Sequence, residues 1–163
     1  MKSTSAIVMA VGAAAIVGGG AYYYANQNSS GISPDLYADA SNAELVAQGK
    51  QLYAANCASC HGADLKGEPN WRQPLPEGGL PAPPHDETGH TWHHPDQILF
   101  AVTKFGGKFN APKDFVSNMP AFEDKLADDE ILAVLAYIKS TWPSEIRQRQ
   151  ARITKKMAEQ MSR

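Results

Sequence analysis

Residues 57–62 read Cys57-Ala58-Ser59-Cys60-His61-Gly62 and contain both cysteines of the 163-residue chain. A cysteine pair in an exported protein ordinarily closes a disulfide, and a CxxC can also be a redox pair or half of a zinc site. A structural zinc ion needs four ligands at recognised spacing, and the chain has no second cysteine pair. A thioredoxin-like pair belongs in a βαβ setting, which the sequence does not offer. Cys-x-x-Cys-His in an exported domain reads instead as covalent attachment of c-type haem. The thiols of Cys57 and Cys60 are spaced to bond the two vinyl groups of one porphyrin, and the adjacent His61 is set against the iron as an axial ligand. A plain dithiol is the alternative reading.

The N-terminus bears on the exported part of that reading. After Lys2 there is no charged side chain until Asp35, and Ala6 to Ala25 is a 20-residue apolar run. As a helix rising about 1.5 Å per residue, such a run matches the roughly 30 Å hydrocarbon core of a bilayer. A cleaved leader needs small residues at its cleavage site, but this run ends in Tyr22-Tyr23-Tyr24, which suit a membrane interface. A single uncleaved transmembrane anchor over residues 1–25 is therefore expected, with a signal peptide as the alternative. With Lys2 retained in the cytoplasm, either places the rest of the chain on the periplasmic side.

Outward from the motif, residues 26–40 read as a polar tether, residues 41–143 as the domain and residues 144–163 as a basic helical tail. Ser41-Asn42-Ala43-Glu44 matches a capping box, and Leu45, Gly49, Leu52 and Tyr53 follow at helical spacing. The pattern predicts a helix from Asn42 to Ala58 that delivers the cysteines at its end. Seven prolines between Pro69 and Pro95 make residues 62–95 a long loop. A second helix is expected from Pro95 through Ile98, Leu99 and Val102 to Gly106-Gly107. A third starts near Ala127-Asp128-Asp129-Glu130, carries Ile131, Val134, Leu135 and Ile138 on one side, and breaks at Pro143. No alternating β-branched run is long enough for a sheet, so the fold class is all-α.

The segment from Asn42 to Trp142 resembles the small class I cytochromes c, most specifically at CASCHG and at Asn118-Met119-Pro120-Ala121-Phe122. The latter looks like the family's Met-Pro segment and makes Met119 the second axial ligand. Gly49 and Tyr53, with Val134 and Tyr137, look like the family's crossing of first and last helices. The proline whose carbonyl supports the axial histidine would fall on Pro69. The resemblance thus implies a small helical domain around one covalent haem c. Independently, Met119 is the only methionine inside the domain. A thioether binds soft metals and raises the potential of haem iron, whereas an ordinary core methionine merely fills a gap.

Four of the five histidines, His85, His90, His93 and His94, fall within ten residues. One reading makes this stretch a polar cover over the haem; another makes it a second metal site, for copper first; a third lets one imidazole displace Met119. The tail from Ser144 to Arg163 holds six Lys/Arg against two Glu, so its local +4 leaves −6 on the preceding residues of a chain whose net charge is −2. That balance excludes a nucleic-acid binder. The tail reads as a solvated face, with steering toward an acidic partner or anionic lipid as a minor alternative. No Ser-His-Asp pattern, phosphate loop or nucleotide fingerprint occurs. The expected activity is one-electron transfer between membrane or periplasmic redox proteins rather than catalysis. The rivals are a haem enzyme or sensor with an open sixth position, and an accessory subunit of a respiratory or photosynthetic complex.

Overall fold

The computed structural model describes residues 32–163. The segment read as an anchor or leader, and the tether up to residue 31, lie outside the described residues. Among the described residues there is no strand, and no helix is long and apolar enough to cross a membrane.

Helix α1 spans Ala43–Asn56. Its N-cap is Asn42, whose side-chain oxygen accepts from the backbone N–H of Glu44 and of Leu45, each at 3.1 Å, a cap worth about 1 kcal/mol. The Ser41/Glu44 box expected from the sequence does not form, because the Ser41 hydroxyl donates to Asp39 Oδ1 at 2.6 Å instead. Cys57 interrupts the helix, and a single turn, α2 (Ala58–His61), follows before Gly62 ends it at φ 80°. Helix α3 spans Asp96–Phe105, with Pro95 as N-cap and Gly106 at φ 90° beyond its end. Helix α4 spans Asp128–Ser140, and the Glu130 carboxylate accepts from the Ala127 N–H at 2.9 Å to close its first turn. Helix α5 spans Ser144–Met161, restarted by Pro143 as N-cap.

α1 and α4 cross at Gly49. A Cβ there would run into the carbonyl oxygen of Ala133, so only glycine lets the two backbones come this close. Tyr53 and Tyr137 flank the crossing with ring centroids 5.4 Å apart. The core cluster built on it contains Tyr53, Leu65, Val134, Ile138 and Trp142.

A second, polar junction fastens the remaining elements. Asp96, fully buried, accepts from Lys139 Nζ at 2.6 Å and the Ala38 N–H at 2.8 Å through Oδ2, and from Gln150 Nε2 at 2.7 Å through Oδ1. Its own N–H donates to Thr154 Oγ1 at 3.0 Å. Four segments therefore meet at one carboxylate. The tail lies on the domain rather than projecting from it, since Gln150 and Thr154 are buried and bonded to Asp96 of α3, and its other face is solvated. The compact unit begins at Ser33 rather than at residue 41, because Ala38 and the Pro34 carbonyl, which accepts from Gln97 Nε2 at 2.7 Å, are tied to α3.

Candidate haem site

The helix ends place the motif on the lining of a cavity of about 570 Å3, within the roughly 300–1,000 Å3 typical of small-molecule and cofactor sites. Cys57, Cys60, His61 and Met119 all line it. Its apolar walls come from α3 through Leu99 and Val102, and from α4 through Val134, Leu135 and Ile138. Exposed Leu80, Phe115 and Val116 also line it. Cys57, Cys60, His61 and Met119 thus bring two thiols, an imidazole and a thioether to the lining of one largely apolar cavity, the donor set that a covalent haem requires. Both cysteines are free thiols, and burial, followed by the charge of Cys60, pushes the Cys57 thiol up to about 11.

His61 is held from behind. Its Nδ1 lies 2.9 Å from the carbonyl oxygen of Pro83, which leaves Nε2 for a metal once Nδ1 carries the proton. Burial depresses its pKa, against the opposing pull of that carbonyl and of Glu68, so the imidazole is neutral, as a ligand must be. The supporting carbonyl therefore belongs to Pro83 and not to Pro69, which is exposed. The reason is a local pairing of the loop. The Gly67 N–H donates to His61 O at 2.8 Å, the Glu68 N–H to Ala82 O at 2.9 Å, and the Ala82 N–H to the Glu68 carboxylate at 2.6 Å. Residues 70–81 are an excursion, and residues 82–85 return beside His61. Gly67 sits at φ 65°, and a Cβ there would come within 2.5–2.6 Å of Ala82 O and the Pro83–Pro84 peptide. Tyr53, at the core of the crossing, donates from its hydroxyl to Gly62 O at 3.0 Å and so fixes the turn that ends the motif.

Met119 is half-buried on a segment that lies back over α3: the Gly107 N–H donates to Met119 O at 3.1 Å, and the Met119 N–H donates to Ser117 Oγ at 3.2 Å. Gly107 permits this approach, since a Cβ there would meet Ser117 Oγ and come within 3.0 Å of Met119 Cβ.

The four clustered histidines do not converge. His85 stands edge-on to the His61 ring at 4.0 Å between centroids, His93 lies on Trp92 at 3.7 Å, and His90 contacts Trp71 at 5.5 Å and His94 at 5.4 Å. Among the described residues no group of three or more His, Cys, Asp or Glu is disposed to hold a metal ion, so the copper reading of His85, His90, His93 and His94 lacks its geometry. His85 and His90 instead line the cavity. The His85 carbonyl accepts from Trp142 Nε1 at 2.7 Å, and the His85 N–H donates to Leu65 O at 2.7 Å. Burial, with the His61 and His90 rings beside it, holds the His85 imidazole well below its usual pKa. Sequence reasoning missed Pro83, Gly67 and this placement of His85. The available signal was the run Pro81-Ala82-Pro83-Pro84 directly ahead of His85.

A family model described as cytochrome c matches residues 46–142, more than half of the chain. The chain belongs to the cytochrome c family. It is a class I c-type cytochrome, as the motif and the Met119 segment anticipate. Membership implies covalently bound haem c. Over 100 residues the cytochrome is 32% identical to the Cbb3-type cytochrome c oxidase subunit FixP of Rhizobium meliloti (strain 1021), covering 61% of this chain and 29% of that one. A FixP of Sinorhizobium medicae (strain WSM419) is 70% identical over 27 residues, 17% of this chain and 9% of the relative. The chain thus spans less than a third of the length of these curated relatives. The crystal structure of cytochrome cL from the marine methylotroph Methylophaga aminisulfidivorans MPT aligns with a TM-score of 0.48 and 21% identity, over 68% of this chain and 63% of that one.

Proposed function

We propose that this cytochrome is a one-electron carrier with His61 and Met119 as axial ligands and Cys57 and Cys60 as thioether anchors. The observation that supports the reading is that all four residues line one cavity. Bound haem supplies a reversible iron couple. The protein's part is to close both axial positions and to keep the ring in an apolar site, so that only electrons pass. Pro83 holds the proton of His61 Nδ1, and the Gly107–Met119 pairing presents the thioether. With its apolar N-terminal run acting as an anchor, the domain lies on the outer face of a bacterial cytoplasmic membrane, where its donors and acceptors are membrane or periplasmic redox proteins.

The test is the absorption spectrum of protein matured with covalent haem. Ferric protein should show the near-infrared charge-transfer band of methionine-ligated iron, and Met119→Ala should lose it, with a lower potential and ready binding of carbon monoxide. Haem attachment without that band in the parent refutes Met119 ligation and favours the open-site alternative.

The likeness to FixP favours a second, narrower reading: the cytochrome serves a cbb3-type oxidase as an associated subunit. Co-purification with oxidase subunits in mild detergent supports that version. Recovery of the cytochrome free of any oxidase, with full electron exchange in solution, opposes it.

A further inference from the structure

His85 is the one clustered histidine whose ring reaches the motif. Its Nε2 lies 2.7 Å from His61 Nδ1, the same atom that meets Pro83 O at 2.9 Å. The contact is not an accident of a loose loop. The His85 backbone is pinned by Trp142 and Leu65 on either side, and its ring packs edge-on against Tyr53 with centroids 6.0 Å apart. Its other nitrogen, Nδ1, is buried and meets no hydrogen-bond partner among the described residues. A buried orphan of this kind calls for an explanation other than stability.

The proton count supplies one. With iron on Nε2, a neutral His61 carries its only proton on Nδ1. A carbonyl oxygen can only accept, so Pro83 takes that proton. His85 Nε2, at hydrogen-bond distance from the same N–H, must then present a lone pair, because an N–H there would face another N–H. His85 is thereby confined to the tautomer protonated at Nδ1, the atom left unpartnered.

We propose that His85 is a positioning residue for the haem iron: a second acceptor that shares the His61 Nδ1 proton with Pro83 and, by pushing electron density onto the ligand ring, lowers the reduction potential. Outer acceptors of this kind raise ligand basicity, and a more basic imidazole favours the ferric state. The inference rests on the reading of His61 as an axial ligand.

The experiment uses haem-loaded protein in its diamagnetic ferrous form with 15N-labelled histidine. The expected result is a His85 unprotonated at Nε2 and protonated at Nδ1, with a downfield, slowly exchanging His61 Nδ1–H. Protonation of His85 at Nε2 overturns the inference. Redox titration supplies the second measurement. His85→Leu, which removes the acceptor, should raise the potential, and His85→Gln, whose amide oxygen can accept, should recover part of the parent value. Both variants keeping the parent potential while retaining low-spin spectra overturns the inference alone. A parent whose spectrum shows no histidine-ligated low-spin iron overturns it together with the functional reading, so the two failures are told apart by the parent spectrum.

Discussion

Asp96→Ala should be among the most damaging single changes outside the haem site. The Asp96 side chain is 0% exposed and that of Lys139 is 4% exposed, with 2.6 Å between them. Removing one member of a buried ion pair costs about 3–5 kcal/mol, because the other charge remains desolvated and unpaired. The Ala38 N–H also loses its acceptor, an orphaned donor costing about 1–3 kcal/mol, whereas the Gln150 amide keeps His94 O and Thr154 Oγ1; such losses do not simply add. A floor of about 3 kcal/mol follows, set against a typical domain stability of about 5–15 kcal/mol. Guanidinium unfolding of the haem-loaded protein measures it. The sign with pH is also fixed. Burial already depresses the Lys139 pKa despite the attraction of Asp96, and without Asp96 it falls further below its unfolded value. The unfolded chain then binds the extra proton, so the variant should regain stability as pH rises toward about 10.4, the unfolded lysine value. The pair Asp96→Leu with Lys139→Met should be far less harmful than the single change, since paired removal of a buried ion pair is often neutral. A loss clearly below that floor of about 3 kcal/mol, or a double variant as unstable as Asp96→Ala, refutes the reasoning.

Gly49→Ala drives a Cβ into the Ala133 carbonyl. Because backbone cannot yield as a side chain can, the cost should reach at least the 1–3 kcal/mol typical of overpacking, about the upper end of it, read by thermal unfolding. Gly67→Ala combines a φ of 65° with a clash against the Pro83–Pro84 peptide. It should cost about 2 kcal/mol or more and disturb the His61 Nδ1–H resonance, since the same peptide supports the ligand. The His94 pKa is depressed by burial first and then by His90 and His93. The unfolded chain therefore takes up a proton near pH 6.5 that the folded chain refuses, so stability should fall between pH 7 and pH 5, and His94→Gln should lessen the fall in the urea midpoint.

The helices and the haem anchor were legible because their signals are local. CASCHG states its chemistry within six residues, and the starts and stops of α3 and α4 follow from Pro95, Gly106 and the acidic turn at Asp128. The resemblance points to Pro69 in place of Pro83 because counting along the chain cannot see the excursion of residues 70–81. The choice is made by the Glu68–Ala82 pairing, a contact between residues 14 apart. The seating of α5 was hidden for a different reason. It docks through the buried Gln150 and Thr154 beside a sparse apolar row of half-buried Ile146, Ile153 and Met157, too thin to mark a core face, and the buried partner Asp96 stands in the first turn of α3, where an aspartate is already expected for the helix dipole. The histidine cluster left its readings open because closeness in sequence is not convergence in space: the rings at 85, 90 and 93 each find a different aromatic neighbour, and His85 and His90 line the cavity as a polar cover would.

These long-range contacts make the ligand geometry a property of the whole fold rather than of the motif. Cys57, Cys60 and His61 come on one short stretch, yet the orientation of His61 depends on residue 83 for its carbonyl, on residue 67 for the glycine that lets that carbonyl approach, and on residue 53 for the hydroxyl that fixes Gly62. The neighbouring His85 is held in turn by Trp142 at the end of the chain segment that carries α4. Tyr53 and Trp142 lie in the cluster at the α1–α4 crossing, so whatever loosens that crossing also frees the imidazole proposed as the axial ligand. Conversely, a bound haem would pack against the cavity walls formed by Leu99, Val134, Leu135 and Ile138. Ligation and packing are then one cooperative event, and a Cys57→Ser, Cys60→Ser double variant that cannot anchor haem should lose its native near-ultraviolet dichroism together with its core. Retention of that signal in the haem-free variant would show that the crossing of α1 and α4 holds the fold without the cofactor.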